Sequence, residues 1–99
     1  MWKIGEEKRI ENSIKDWLET NNFWLIKVQG GSNNPSTGVP DILTCIKGRF
    51  VGIEVKRPGE KPTKIQQYQM DQINKSGGVA FVATSLRDVR MELKDRQVI

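Results

Sequence analysis

Four apolar positions near the start of the chain recur at the spacing of one helical face. They are Ile10, Ile14, Trp17 and Leu18, and the pattern stops at the polar residues 20–22. Side chains three or four residues apart share a face of an α-helix, so residues 4–21 are predicted to form a helix with one buried stripe. Residues 23–28, with the sequence FWLIKV, are predicted to form an apolar strand.

Residues 41–56 carry the pattern of a β-hairpin. Two runs rich in β-branched residues, 41–46 and 49–56, flank the dipeptide Lys47-Gly48, which is typical of a turn. Successive side chains of a strand alternate between faces, so Glu54 and Lys56 share one face and the apolar side chains around them share the other. Closing the hairpin brings Asp41 beside Glu54. The strand at residues 23–28 is expected next to this hairpin.

The C-terminal half alternates between helix and strand signals. Thr63 is a predicted N-cap with Gln66 at the third helical position, as in a capping box, and Gly77-Gly78 ends this helix. Residues 79–84 are nearly all apolar and are predicted to form a central strand covered on both faces. Ser85 then caps a last helix that runs to about residue 93.

The element order α-β-β-β-α-β-α predicts an α/β fold. We expect a mixed β-sheet flanked by helices, in which the hairpin leads into a crossover helix that returns a parallel strand. The length of 99 residues suits a single domain, residues 1–99. No apolar run approaches the ~18 residues that span a bilayer, and the first residues lack a signal-peptide core, so a cytoplasmic protein is expected.

The composition narrows the chemistry that the chain can perform. A net charge of +4 and a pI near 9.4 favour a polyanionic partner. The chain has no His, which excludes His-dependent nucleases, Ser-His and Cys-His triads and most transition-metal sites. Cys45 is the single cysteine, so no internal disulfide or cysteine-based zinc site can form, and we expect it to be a small core residue.

Asp41, Glu54 and Lys56 form the candidate chemical centre, because the hairpin places two carboxylates and an ammonium at one strand end. Close carboxylates repel unless a cation lies between them or one is protonated. Oxygen ligands select a hard ion, and Mg²⁺ or Mn²⁺ beside phosphate oxygens supports phosphodiester hydrolysis. A solvated edge pair of Glu54 and Lys56 is the alternative, although unpaired carboxylates next to a core are costly.

Glu7 and Glu11, on the first predicted helix, lie along the border of its buried stripe. Either carboxylate could reach the metal, directly or through water. The alternative is a solvated side chain near a helix N-terminus, stabilised by the helix dipole. Gln66 also has two interpretations. The capping box alone explains it, yet its helical face points toward the sheet, where its amide could hydrogen-bond a site water or the substrate.

Two connecting segments flank this centre. Arg57, Lys61 and Lys64 lie in and just after a turn-rich link and are candidate phosphate contacts, or else a solvated charge cluster. Residues 29–39 are dense in Gly, Asn, Ser and Pro and are expected to form a mobile loop that leads into Asp41. That loop could follow a phosphate backbone or could simply connect two strands.

Four segments together resemble one nuclease family. GVPD at residues 38–41, GRFVGIEVK at 48–56, Gln66 and GGVAFV at 77–82 are similar in order and spacing to the VRR-NUC branch of the PD-(D/E)XK nucleases. The resemblance runs from about residue 7 to about residue 89. The Val-Arg-Arg signature of the family is absent, and Val55-Lys56-Arg57 is the nearest string.

The resemblance implies a restriction-endonuclease-like core with a Mg²⁺ or Mn²⁺ site. In such a site Asp41 and Glu54 would ligate the metal, and the backbone carbonyl of Val55 would be a third ligand. The family pattern favours Glu7, with Glu11 second, as the residue that binds a water or a second ion.

The same resemblance implies a reaction. Lys56 would orient or help activate the attacking water, and Gln66 would support the arrangement. We predict a phage-type, structure-selective DNA endonuclease that resolves Holliday junctions as a homodimer, since a C₂ dimer presents two sites at a fixed separation. A flap or single-strand DNA nuclease is the alternative among enzymes. A non-catalytic DNA-binding module on the same fold is the alternative from another class.

Overall fold

A computed structural model describes residues 4–29 and 37–99. Its elements are helix α1 (Glu6–Thr20), strands β1 (Trp24–Lys27), β2 (Ile42–Ile46) and β3 (Arg49–Val55), helix α2 (Lys64–Lys75), strand β4 (Val79–Ala83) and helix α3 (Leu86–Asp95). The predicted order α-β-β-β-α-β-α is confirmed. Most of the loop predicted at residues 29–39 lies outside the described residues. Among the described helices, none has the length and apolar character needed to cross a membrane.

The four strands form one mixed sheet in the order β1-β2-β3-β4. β1 pairs antiparallel with β2, and β2 pairs antiparallel with β3, so the predicted hairpin and its neighbour are both present. Lys47 and Gly48 turn the hairpin with positive φ angles of 51° and 83°. Two positive φ angles are typical of the tight turns that match the twist of a hairpin. After β3, α2 crosses over and returns β4 parallel to β3.

One face of the sheet forms the main core with α1 and α3. Alternate residues of the strands point to this face, and the predicted stripe of α1 and the buried residues of α3 pack against them. The fully buried members include Ile14, Leu18, Ile42, Ile53, Val89 and Leu93. Each such side chain contributes about 1.5–3 kcal/mol when it leaves water, so this layer holds the strand ends in place.

The other face of the sheet is covered by α2 over β3 and β4. Gly52 and Gly78 make this approach possible, because a Cβ atom at Gly52 would lie 3.1 Å from Cδ1 of Ile73 and one at Gly78 would lie 2.8 Å from Cγ2 of Ile73. Trp24 and Phe50, farther along the same face, remain 59% and 45% exposed.

Two predictions about burial are wrong. β4 is covered on both faces but lies at an edge of the described sheet rather than in its centre. Its apolar sequence reflects burial under helices on both faces. A strand with one neighbouring strand and a strand with two can show this same apolar pattern, so the sequence does not tell them apart. Cys45 is exposed rather than in the core. Thr44 and Ile46 face the core on either side of it, and Cys45 faces the part of the sheet next to Trp24.

Candidate active site

The hairpin register brings Asp41 and Glu54 together. Ile42 lies opposite Ile53 in the β2–β3 ladder, so one further step along each strand places Asp41 opposite Glu54 on the same face. The backbone N–H of Val55 donates a hydrogen bond of 2.8 Å to Oδ2 of Asp41, which fixes this carboxylate against the end of β3. The two carboxyl groups are within hydrogen-bonding reach of each other.

Glu54 lies in surroundings that are unfavourable for a charged side chain. Its side chain is in the interior, with the residue only 2% exposed. Burial raises the pKa of Glu54 to about 8, and the charge and hydrogen bond of Asp41 add to that rise. Lys56 opposes the shift in part. Within the described part of the chain, Oε1 of Glu54 is buried without a hydrogen-bond partner. A buried carboxylate oxygen without a partner is costly, and a bound cation would compensate it.

Lys56 follows directly on the same strand. Its backbone N–H donates a hydrogen bond of 3.0 Å to the carbonyl of Ala83 at the end of β4. Strand alternation directs the side chain of Lys56 to the face that carries Glu54. The lysine is partly buried, and its charge lowers the pKa of Glu54. The predicted centre of two carboxylates and one ammonium is therefore assembled at one end of the sheet.

Lys27 is a member of this region that sequence reasoning missed. Its Nζ lies 2.8 Å from Oε1 of Glu11 and 3.7 Å from Oδ1 of Asp41, so it links α1 to the carboxylate pair. Burial would lower the pKa of Lys27, but the hydrogen bond to Glu11 and the charge of Asp41 outweigh it and the pKa is raised. The available signal was a lysine inside the apolar run FWLIKV, two residues after Leu25 and therefore on its face.

The two glutamates of α1 have different surroundings. Glu11 is 5% exposed and forms ion pairs with Lys8 at 2.9 Å and Lys15 at 3.6 Å besides Lys27. Burial alone would raise the pKa of Glu11, but the hydrogen bonds from Lys27 and Lys8 outweigh it and the pKa lies below its ordinary value. Glu7 is exposed, and its charge contributes to the raised pKa of Glu54. Glu11 is thus paired with lysines, whereas Glu7 is exposed to solvent.

Gln66 forms the predicted capping box. Its backbone N–H donates to Oγ1 of Thr63 at 3.2 Å, and its own Oε1 accepts from the N–H of Thr63 at 2.9 Å. The side-chain amide nitrogen makes no hydrogen bond to the described residues. The cap therefore explains the oxygen of Gln66 and leaves the amide N–H groups available to a ligand.

The three predicted phosphate contacts lie after β3. Arg57 is already engaged, because its guanidinium makes two hydrogen bonds of 3.0 Å to Glu60. These bonds hold the pKa of Glu60 down, at about 2. Lys61 and Lys64 are exposed and form no ion pair with a described residue.

The donor set at this strand end fits a hard divalent cation. Among the described residues, no group of three or more His, Cys, Asp or Glu side chains is arranged to hold a metal ion. Two carboxylates are nevertheless adjacent, and one of them has a buried oxygen without a hydrogen-bond partner in residues 4–29 and 37–99. The chain has no His, and its single cysteine, Cys45, lies farther along β2. Mg²⁺ commonly takes one or two carboxylates and completes its shell with water and phosphate oxygens.

Comparison with known proteins identifies the family. A family model described as archaeal Holliday junction resolvase (Hjc) matches residues 3–98. The chain belongs to this family. A solved structure titled "VRR_NUC domain" is similar, with a TM-score of 0.76 and 24% sequence identity, over 92% of this chain and 97% of that chain. A search of curated proteins found no match.

Family and fold together confirm two predictions. The Hjc match and the VRR_NUC fold agree with the resemblance to PD-(D/E)XK nucleases, and the mixed sheet flanked by helices is the predicted fold class. Membership of the family indicates that the chain is a nuclease, and hence a hydrolase.

Proposed function

We propose that this chain is a Mg²⁺-dependent, structure-selective DNA endonuclease that cuts Holliday junctions inside the cell. The Hjc family match supports the substrate, and one nuclease domain over residues 1–99 would carry the activity. The observation on which the chemistry rests is the adjacent pair of Asp41 and Glu54, in which a buried carboxylate oxygen has no partner among the described residues.

Each residue of the centre would have a distinct role. Asp41 and Glu54 would hold Mg²⁺ (or Mn²⁺), with the backbone carbonyl of Val55 as a third protein ligand. The ion, when bound, would stabilise negative charge on the phosphate oxygens and favour deprotonation of water. Lys56 would orient the attacking water and offset the charge that builds on the phosphoryl group. The water oxygen forms a bond to phosphorus, and the P–O3′ bond breaks to leave a 5′-phosphate and a 3′-hydroxyl.

Surrounding residues would position these groups. Glu7, which is exposed near Glu54, would bind a water or a second ion at the mouth of the site. Lys27 would hold Asp41 in place from the α1 side through its pair with Glu11. Gln66 would hydrogen-bond the substrate or a site water through its amide N–H groups, which have no partner among the described residues.

Three cations near the end of β3 would contact the substrate. Lys61 and Lys64 would bind phosphates flanking the cut. Arg57 would join them after leaving Glu60. Such contacts fix the register of a duplex without reading its sequence, in keeping with selection by DNA structure.

A homodimer would give the enzyme two such centres. Trp24, Cys45 and Phe50 lie side by side across β1, β2 and β3 and are exposed, so they form an apolar patch on the sheet. Apolar patches of this kind mark interaction sites. A junction contains two strands that must be cut symmetrically, and two copies related by a C₂ axis would present one centre to each strand.

Cleavage assays on defined DNA substrates test this function. With Mg²⁺, wild-type protein should nick a four-way junction in preference to flap, linear duplex and single-stranded DNA. Asp41→Asn and Lys56→Ala should each reduce cutting by at least about 10²-fold, while binding to the junction in EDTA stays within a few-fold of wild type. Indifference to branching would remove the junction specificity.

Matched control variants distinguish the loss of a catalytic group from a general change in the charge of the protein. Asp16→Asn and Lys75→Ala make the same charge changes at exposed positions, on α1 and at the end of α2. Both controls should cut at the wild-type rate. Wild-type cutting by Asp41→Asn would show that this carboxylate is not part of the centre. Binding without cutting by the wild type would instead favour a DNA-binding module.

A further inference from the structure

α3 carries its charges on two separate faces. Arg87, Arg90 and Lys94 are spaced by three and four residues and share one face, which we call the α3 basic face. The acidic residues of the helix, Asp88, Glu92 and Asp95, are spaced by four and three residues and share another face. Successive residues of a helix turn by about 100°, so the cations point well away from the carboxylates.

The acidic side of α3 is already used within the fold. Asp88 accepts hydrogen bonds from the backbone N–H and the hydroxyl of Thr84, and Glu92 pairs with Arg96 at 3.0 Å. Arg96 also donates to Asn74 and lies over the ring of Phe81. This side of the helix therefore faces the β4 edge of the molecule.

The α3 basic face has no comparable partners in the described part of the chain. All three cations are exposed, and their side chains form no ion pair or hydrogen bond with the described residues. The charge of Arg87 contributes to the lowered pKa of Asp88. An open cleft of about 370 Å³ runs along the face, lined by the three cations and by Leu86, Met91 and Ile99. Three unpaired cations beside an open cleft attract a polyanion.

The position of α3 connects this face to the active site. The carbonyl of Ala83, the last residue of β4, accepts the hydrogen bond from the backbone of Lys56. Thr84 and Ser85 then lead directly into the helix, so α3 begins at the catalytic end of the sheet and runs away from it. With a rise of 1.5 Å per residue, the cations extend about 10 Å along the helix axis. A duplex carries a charge about every 1.7 Å of its axis, so this length faces several phosphates.

We propose that the α3 basic face binds the phosphate backbone of a DNA arm that leads away from the cutting site. The proposal rests on the proposed function, in that the DNA is the nuclease substrate. It adds a second contact surface on the side of the sheet opposite α2, apart from the residues that follow β3. The cations position the arm, and the apolar floor of the cleft accommodates its sugar edge.

Equilibrium binding tests the proposal without any requirement for cutting. The probe is a fluorescein-labelled four-way junction, measured by anisotropy in EDTA between about 50 and 300 mM salt. In the triple variant Arg87→Gln, Arg90→Gln, Lys94→Gln, the slope of log K against log salt should become shallower by up to about 2.7, or about 0.9 per phosphate contact. Affinity at the lowest salt should fall about 10- to 100-fold. Single Arg90→Gln should lower the slope by about 0.9.

Two further triple variants serve as controls. Arg87→Lys, Arg90→Lys, Lys94→Arg retains the charges and should retain the wild-type slope. Lys47→Asn, Arg49→Gln, Lys75→Gln removes three cations at the far end of the sheet and should change the slope by less than half as much. Circular dichroism melts of each variant establish that it is folded.

Several outcomes would overturn the proposal. One is a wild-type salt slope in the triple variant Arg87→Gln, Arg90→Gln, Lys94→Gln. Another is an equally large change of slope in the triple variant that removes cations at the far end of the sheet. A third is loss of binding to poly-glutamate with unchanged junction binding, which would assign the face to an acidic peptide. A different result would contradict the proposed function, namely wild-type protein that leaves the junction uncut in the presence of Mg²⁺. That result does not depend on the binding measurements.

Discussion

Glu54 is the residue at which stability and function oppose each other. A carboxylate that is 2% exposed, lies beside Asp41 and has a pKa raised to about 8 destabilises the fold when it is ionised. The backbone nonetheless commits it to this position, because Val51, Ile53 and Val55 of the same strand must face the core. Groups with strongly perturbed pKa values are often found at functional sites, and an oxygen of Glu54 without a partner among the described residues suits the proposed cation binding.

Replacing Glu54 by Gln should therefore stabilise the protein and abolish cutting. In EDTA at neutral pH, we expect Glu54→Gln to raise the free energy of unfolding by about 1–3 kcal/mol, because the carboxyl must take up a proton on folding, from an unfolded pKa of about 4.3 to a folded pKa of about 8, whereas an amide takes up none. Urea denaturation measures this change.

The effect of Mg²⁺ on the melting temperature tests whether Glu54 binds the ion. Excess Mg²⁺ should raise the melting temperature of the wild type and leave that of Glu54→Gln unchanged, since binding to the folded state alone adds about 1.4 kcal/mol at ten times the dissociation constant. Glu92→Gln, on the surface of α3, is the control and should keep the wild-type response to Mg²⁺. An equal response of Glu54→Gln and the wild type would place the ion elsewhere.

Residue positions along one strand could be predicted from the sequence, and contacts between distant elements could not. The pairing of Asp41 with Glu54 follows from the turn at Lys47-Gly48 and the alternation of β3, which are local properties. The contact of Lys27 with Glu11 joins β1 to α1 across the edge of the sheet. It depends on how far along its axis α1 is placed, and no periodicity within either element determines that distance.

At the scale of elements, the start of α3 determines how the helix meets the end of the sheet. Oγ of Ser85 accepts from the N–H of Asp88, while Oδ2 of Asp88 accepts from the N–H and the hydroxyl of Thr84 at 2.8 and 2.7 Å. The hydrogen bonds from Thr84 lower the pKa of Asp88. Ser85 was predicted as the cap, but the role of Asp88 was not singled out, although it stands at the third helical position.

Asp88→Asn should destabilise the protein in a pH-dependent way. At pH 7 we expect a loss of about 0.5–2 kcal/mol, as for other helix caps. Because the pKa of Asp88 is lower in the folded than in the unfolded chain, its stabilisation is complete above the unfolded pKa of about 3.9. It is lost as the pH falls from there through the folded pKa. Urea titrations of both proteins should therefore show a difference that narrows below about pH 4.

Asp95→Asn provides the comparison for that measurement. Asp95 lies at the other end of α3, is exposed and makes no side-chain hydrogen bond to a described residue. Its replacement should change stability by less than about 0.5 kcal/mol at every pH. A constant difference between Asp88→Asn and wild type from pH 7 to pH 3 would mean that the carboxylate charge does not matter.

The incorrect prediction that β4 is a central strand shows what an apolar sequence pattern can indicate about a whole strand. The run VAFVA indicates burial on both faces, and the structure has helices on both faces. Whether a strand lies at an edge depends on how many other strands the chain supplies, and here the described sheet ends at β4. Cys45 shows the converse. The helices cover only part of the sheet on the α2 side, so an apolar strand residue can remain exposed.

At the scale of the whole molecule, the uncovered part of the sheet and the proposed catalytic centre share one face. Asp41, just before β2, and Cys45 on β2 are four residues apart, and so are Phe50 and Glu54 on β3. Residues an even number of positions apart along a strand point to the same face of the sheet. The apolar patch of Trp24, Cys45 and Phe50 therefore lies on the same face as the carboxylates, a few residues away. A second copy bound to this patch would be held at a fixed distance from the first centre.

Phe50→Glu tests that assembly, because a C₂ interface contains each substituted residue twice and would bury two new charges. Light scattering should show a wild-type dimer and a folded, monomeric variant, with dimer affinity reduced by at least about 30-fold. Met91→Glu, an exposed apolar residue on α3, should remain dimeric. On the junction, the dimer should place both nicks within one binding event, whereas the monomer should make single, unpaired nicks. Dimeric Phe50→Glu with paired nicks would show that the two centres are brought together by another surface.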